Sequence, residues 1–260
     1  MLHSRYINGA LAFWDTHQCR IIDAVGGNVT KYVNHFTHMP LDDTTRNPAE
    51  WSWVSDTATD AITLPASLTG GVMNMATGAV AQNETYLQLG GAACATNAPW
   101  IISGAAGVAN TYPVYFGIRC KALQHASEAY FVGLAGEGAA AADFLTDATG
   151  AIADDDFVGF NTLQATPDAW NITWKHTGGA VQAVTAVAVN AADWHVFEFY
   201  YDGGTTVTFF VDGVANATTA TTSAATFPHD AEMSPMLAVK TVGGAASSLQ
   251  VDWLRVFQFN

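Results

Sequence analysis

A chain of 260 residues, half of them hydrophobic and 12% aromatic, is long enough to bury a substantial core and too apolar to be disordered. Only 12% of the residues are charged, 23 acidic against 9 basic, and the net charge of −14 repels phosphate backbones and anionic lipid, which excludes nucleic-acid and membrane-surface binding as expected roles. No run of 18 apolar residues is present and Met1-Leu2-His3-Ser4-Arg5 lacks the basic-then-apolar layout of a secretory signal, so folding in a cytoplasm is expected.

So few charges leave the surface to Thr, Ser, Asn, Ala and Gly, which suits a protein packed against something. Cys19, Cys94 and Cys120 are odd in number and far apart, the pattern of buried free thiols rather than of a zinc site or a redox dithiol.

Residues 1–45 differ from the rest. Short strand-like runs at 10–15 and 20–25 are followed by the turn Gly26-Gly27-Asn28 and a third run at 29–33, then by a polar, irregular stretch at 35–43. Four of the eight histidines (His3, His17, His35, His38) and, with the linker, four of the nine basic residues (Arg5, Arg20, Lys31, Arg46) lie here. This section is read as a short arm or small β element for attachment, leading into a body at 46–260.

From Trp51 on, short apolar runs alternate with Gly or Asp turns: 51–55, 61–64, 70–76 and 86–89, then an Ala/Gly-rich loop at 92–110. In 112–123, Val114, Phe116, Ile118 and Cys120 fall on one face, and strands are predicted at 129–134, 157–160, 171–175 and 181–189. Residues 138–142 read as a helical turn or loop. The clearest unit is 194–213, where two aromatic-rich runs flank Asp202-Gly203-Gly204 and a second Asp-Gly, Asp212-Gly213, closes the hairpin. Runs at 236–242 and 249–258 end the chain. A dozen short strands with almost no helical period predict an all-β antiparallel sandwich or jelly roll.

Searching these strands for chemistry gives little. A glycosidase needs two carboxyls about 5–5.5 Å or about 6.5–9.5 Å apart. Glu198 and Asp202 would lie about 13 Å apart along a strand. Asp154-Asp155-Asp156 precedes a strand and reads as a solvated acidic loop, with calcium binding as the alternative. No nucleophile elbow or phosphate loop is present. His35 and His38, followed closely by Pro40, fit polar contacts better than metal ligation, and His195 reads as structural. No catalytic, cofactor-binding or metal-binding residue is therefore assigned, and no cofactor is expected. Trp51, Trp53, Trp170, Trp174 and Trp253 could form a sugar platform, but core packing is the expected role for most of them.

The hairpin Trp194-His195-x-Phe197-x-Phe199-Tyr200-Tyr201-Asp202-Gly203 and Val207-x-Phe209-Phe210-Val211-Asp212-Gly213, with the ending 251–258, resembles the concanavalin A-like (laminin G/laminarinase) jelly-roll superfamily over about residues 50–258. The laminarinase-type enzymes carry a Glu-x-Asp-x-x-Glu strand that has no counterpart here, so the chain is expected not to be an enzyme. Four motifs in order, Tyr115-Phe116-Gly117-Ile118-Arg119, Phe131-Val132-Gly133-Leu134, Asp155-Asp156-Phe157-Val158-Gly159-Phe160 and Val251-Asp252-Trp253-Leu254-Arg255-Val256-Phe257, further resemble tailed-bacteriophage virion proteins. That resemblance implies a decoration or cement protein that binds and stabilises the head, with the major capsid protein as partner and the virion as its place. Self-association is expected with it, a trimer among the forms. The alternative is a lectin-like module that binds a glycan on the virion or host-facing surface.

Overall fold

The computed structural model describes residues 2–15, 20–37, 50–65, 71–90, 98–103, 112–123, 128–141, 143–147, 149–153, 155–179, 182–190 and 192–260. His17, Cys19, His38, Cys94, Asp154 and most of the 92–110 loop lie outside the described residues. Among the described residues there is no α-helix, only the single 3-10 turn Ala139–Ala141, and so none long and apolar enough to cross a membrane.

Two eight-stranded antiparallel sheets form the sandwich. The front sheet runs β17 (Val214–Thr221), β16 (Thr206–Val211), β15 (His195–Tyr201), β10 (Val114–Ala122), β19 (Ser248–Phe259), β7 (Met73–Ala76), β6 (Ala61–Thr63), with β4 (Val29–Asn34) also on β19. The back sheet runs β14 (Gln182–Asn190), β13 (Thr166–Lys175), β12 (Phe157–Leu163), β11 (Glu128–Gly136), β18 (Glu232–Thr241), β8 (Asn83–Leu89), β5 (Trp51–Ser55), with β9 (Trp100–Ile101) on β18. This is the predicted all-β sandwich.

Alternation along the strands builds the core. Val114, Phe116, Ile118 and Cys120 of β10 are fully buried in one cluster with Tyr130, Val132 and Leu134 of β11 and Phe197 and Phe199 of β15. Cys120 is a free thiol, and burial pushes its pKa up, which makes it inert at neutral pH. Asp212 and Gly213 have φ of 51° and 78°, the paired positive values of a type I′ turn, so the Asp-Gly signal did mark a two-residue hairpin.

Part of the outer face of each sheet is covered by the chain itself. A third, three-stranded sheet is formed by β1 (Leu2–Ile7), β2 (Ala10–Asp15) and β3 (Arg20–Val25). Ala10, Ala12, Ile21 and Ala24 bury themselves there against Tyr115, Phe257 and Phe259 on the front sheet. Val29–Asn34, read from sequence with the attached element, is a strand of the sandwich itself, paired to β19 from Leu254↔Asn34 to Phe259↔Val29. On the back sheet, Phe144, Leu145 and Ile152 from the 137–153 segment cover Tyr86, Phe131, Phe157 and Met236.

Candidate functional site: a charged groove across the front sheet

Beyond the end of the three-stranded sheet the outer face of the front sheet lies open. Register aligns two rows across it: Glu198, Gly117 and Arg255 in one, Val196, Arg119 and Trp253 in the next. A groove of about 370 Å³ sits on these rows, lined by Arg119, Val196, Glu198, Asp212, Gly213, Asp252 and Trp253. That is within the usual range for small-molecule sites.

A β-bulge makes the site. The β10–β19 register slips between Arg119 and Cys120, which pair with Trp253 and Val251, so Asp252 is the extra residue. The bulge lets Val251 and Leu254 both remain in the core while Asp252 turns toward Arg119. Arg119 and Asp252 form an ion pair, and the same guanidinium lies 4.6 Å from the centre of the Trp194 ring. The Lys121 ammonium is 5.3 Å from that ring, and Arg255 lies 4.4 Å over Trp253. Three of the nine basic residues of an acidic chain thus gather on one patch.

The floor depends on Gly117. A Cβ there would stand 2.5 Å from the Tyr115 hydroxyl. Its absence lets the phenol lie across β10 and donate to Glu198 Oε1 at 2.5 Å. Glu198 is fully buried. At the far wall Asp212 is fixed by two contacts: its Oδ1 accepts from Val196 N at 2.8 Å, and Oδ2 stands 2.7 Å from His195 Nδ1. The groove therefore sets carboxylate acceptors, a guanidinium donor and indole walls side by side. That set suits a neutral, many-hydroxyl ligand better than a simple ion.

A second hollow is lined by Tyr32, Asn34, His35 and Glu50 among others. Burial, and then the charge of Arg255, holds the His35 pKa below its ordinary value. The Tyr32 hydroxyl accepts from Asn34 Nδ2 and Trp51 Nε1, each at 2.8 Å, and burial pushes its pKa up to about 12.

The corresponding face of the back sheet is sealed. Lys240, almost wholly buried, pairs with Glu84 and, at 2.7 Å, with Asp147 of the covering segment. The Tyr86 hydroxyl donates to Glu84 and accepts from Leu145 N at 3.1 Å. Burial raises the Glu84 carboxyl to about 7.

The residues singled out from sequence are scattered. Glu198 forms the groove floor, whereas Asp202 sits in the hairpin turn with its Oδ1 bonded to Gly204 N at 2.9 Å. Asp156 is held by His176 Nδ1 at 2.7 Å and Thr177 N at 3.0 Å. Among the described residues no group of three His, Cys, Asp or Glu is placed to hold a metal ion. Trp51, Trp170 and Trp174 are core, and Trp53 is half-buried with its Nε1 on Thr85. Of the five, only Trp253 lies on the groove, alongside Trp194, which the platform argument had passed over. Arg119 and Asp252 were missed as site residues. Their signal was charge inside two strands that otherwise bury apolar side chains at alternate positions.

No family model matches the chain, and no curated protein matches it. Solved structures do. The chain resembles a β-1,3-1,4-glucanase (lichenase) from a mouse hindgut metagenome, with TM-score 0.55, 12% identity, and 87% of this chain and 98% of that one covered. It resembles the endo-β-1,3-glucanase of Pyrococcus furiosus, with TM-score 0.54, 12% identity, and 99% and 98% covered. It also resembles a protein of unknown function from Shewanella oneidensis, with TM-score 0.53, 12% identity, and 88% and 86% covered. At such identity the likeness shows the fold alone, a jelly-roll β-sandwich. It also corrects one expectation. The chain was read as not an enzyme because it lacks the Glu-x-Asp-x-x-Glu strand, yet the solved structures whose fold it shares include glucanases, and that expectation does not stand.

Proposed function

We propose that this chain is a virion structural protein of a tailed bacteriophage that decorates and stabilises the head by binding the major capsid protein and associating with copies of itself. The observation that carries this reading is the three-stranded sheet fixed on the front of the sandwich by Ala10, Ala12, Ile21 and Ala24. It presents a strand outward from a rigid base, as an attachment element requires. The motif order from Tyr115-Phe116-Gly117 to the 251–257 strand supports it, as does a surface poor in charge. The test adds purified protein to matching capsids assembled without it. Saturable co-sedimentation and a higher shell melting temperature are expected; capsids that neither bind it nor gain stability overturn the reading.

A second reading, a lectin-like module, is favoured by the groove itself, with Arg119, Glu198 and Asp252 beside Trp194 and Trp253. Binding on a glycan array that disappears in Trp194→Ala and Arg119→Ala supports it, and a blank array with wild-type protein counts against it.

A further inference from the structure

We propose that Lys240 and Asp147 condense into an intramolecular amide, with Glu84 as the assisting acid–base. The bond ties the covering segment 137–153 covalently to β18, and it stands apart from both the capsid and the lectin reading.

Such a bond needs an amine, a carboxyl to acylate it and a proton carrier, and the back sheet brings all three together. Ala129, Lys240 and Glu84 lie in one row across β11, β18 and β8. The Lys240 side chain is 1% exposed, and its Nζ stands 2.7 Å from Asp147 Oδ1 while also pairing with Glu84. That contact puts the Asp147 carboxyl carbon one bond further on, near the separation of about 3–3.5 Å from which reacting atoms proceed.

Asp147 is fixed by its own turn. Gly150 N donates to Thr146 O at 2.8 Å, Thr146 N donates to Ala151 O at 2.7 Å, and Leu145 N donates to the Tyr86 hydroxyl. Gly150, at φ 63°, lets this turn settle on β11, since a Cβ there would stand 2.2 Å from the Cβ of Ala129, the neighbour of Lys240 in the row. Well-oriented intramolecular pairs reach effective molarities of about 10⁵–10⁸ M, which drives condensation even against solvent water.

Charge favours the product. An ammonium taken out of water loses much of its hydration, and an ion pair there is no assurance of stability. Amide formation removes the Lys240 and Asp147 charges together. Asp147 keeps 59% of its side chain in solvent, so the water released has a way out.

The protons balance within the triad. Burial draws the Lys240 amine down, its hydrogen bonds to Asp147 and Glu84 push it up, and the balance holds it above its ordinary value. The amine is therefore freed by passing a proton to a carboxyl that it already touches. One ammonium proton goes to Asp147, leaving a neutral amine beside a carboxylic acid. The Nζ lone pair then attacks Asp147 Cγ, and the N–C bond forms as the C=O electron pair moves onto oxygen. The carbonyl re-forms as the Cγ–OH bond breaks. Glu84 protonates the departing hydroxyl, which leaves as water, and takes a proton back from nitrogen. Burial raises the Glu84 carboxyl to about 7, so it carries and exchanges that proton near neutrality. Nζ has lost two protons and Asp147 one oxygen, and Glu84 ends as it began.

The test is the intact mass of the full chain, denatured after incubation in the folded state at neutral pH. The wild type should be one water lighter than its sequence mass, and its digest should contain a branched peptide joining Asp147 to Lys240. Asp147→Ala should keep its full sequence mass, and Glu84→Gln should reach the lighter mass at least about a hundredfold more slowly. Asp147 is exposed, so its replacement leaves a folded chain that reports even where Glu84→Gln disturbs the fold. Folded wild type at full sequence mass overturns the proposal and leaves Lys240 in a plain ion pair. Water loss that persists in Asp147→Ala, or a branch at Glu84, overturns the assignment to Asp147. Formation at the wild-type rate in folded Glu84→Gln overturns the role given to Glu84.

Discussion

Gly117 shows how one missing side chain sets the chemistry around it. The Tyr115 phenol crosses the space a Cβ would fill and reaches the buried carboxyl of Glu198. In Gly117→Ala the phenol must move, and a buried carboxyl loses a donor, a loss of about 1–3 kcal/mol. Urea denaturation should show that loss, and Tyr115→Phe should show most of it without the steric part. Glu84 makes a second case, with pH as the variable. Burial raises its pKa in the fold to about 7, from 4.5 as a free side chain. Its contribution to stability is therefore fully present below pH 4.5 and is lost as pH rises through 7. Unfolding free energy followed from pH 4.5 to 8 should decline across that window by on the order of 2 kcal/mol, and Glu84→Gln should flatten that decline. A slope unchanged in the variant would place the titration elsewhere.

At the scale of elements, the covering segment 137–153 behaves as a strap on the back sheet. Phe144 is its anchor, with ring centres 5.0 Å from Phe131 and 6.0 Å from Phe157. Phe144→Ala should cost about 3–5 kcal/mol if the strap stays docked around the cavity. A smaller loss, with faster amide exchange confined to 139–152, would mean that the strap detaches. This strap was not legible in the sequence, because its Ala-rich start has no period and its anchors Phe144, Leu145 and Ile152 are too few and too unevenly spaced to form one. Strands β10, β11, β15, β16 and β19 were legible, since each alternates or carries a dense aromatic run against a buried partner. β17 was not: Val214-Ala215-Asn216-Ala217-Thr218-Thr219-Ala220-Thr221 lies on an edge, buries mainly Ala220, and has no apolar alternation to read. β1 stayed hidden for the same reason. The groove escaped because it is assembled from three strands and a bulge, and a bulge in 251–254 cannot be told from plain alternation without the partner strand.

In the molecule as a whole, β19 is the member to which the other parts are tied. It pairs with β10 on one side and with β7 and β4 on the other. Its outward Phe257 and Phe259 hold the three-stranded sheet, and Asn8 Nδ2 donates to Phe259 O at 3.0 Å while Asn260 N donates to Asn28 O at 2.8 Å. The section 1–45 looked separate in sequence because its composition differs from the body, and composition carries no information about pairing with a strand more than 200 residues away. The consequence is a division of stability. Phe259 lies outside the inter-sheet core, in the small cluster beneath β2 and β3. Phe259→Ala should therefore loosen residues 2–25 by about 3 kcal/mol, while the sandwich strands β10 and β11 keep their protection. Hydrogen exchange read strand by strand checks this: the amides of β2 and β3 should speed up many-fold and those of β10 should not. Equal acceleration in both would mean that sheet and sandwich unfold as one unit, with the three-stranded sheet drawing its rigidity from the whole core rather than from the cluster of seven buried side chains that joins it to the front sheet.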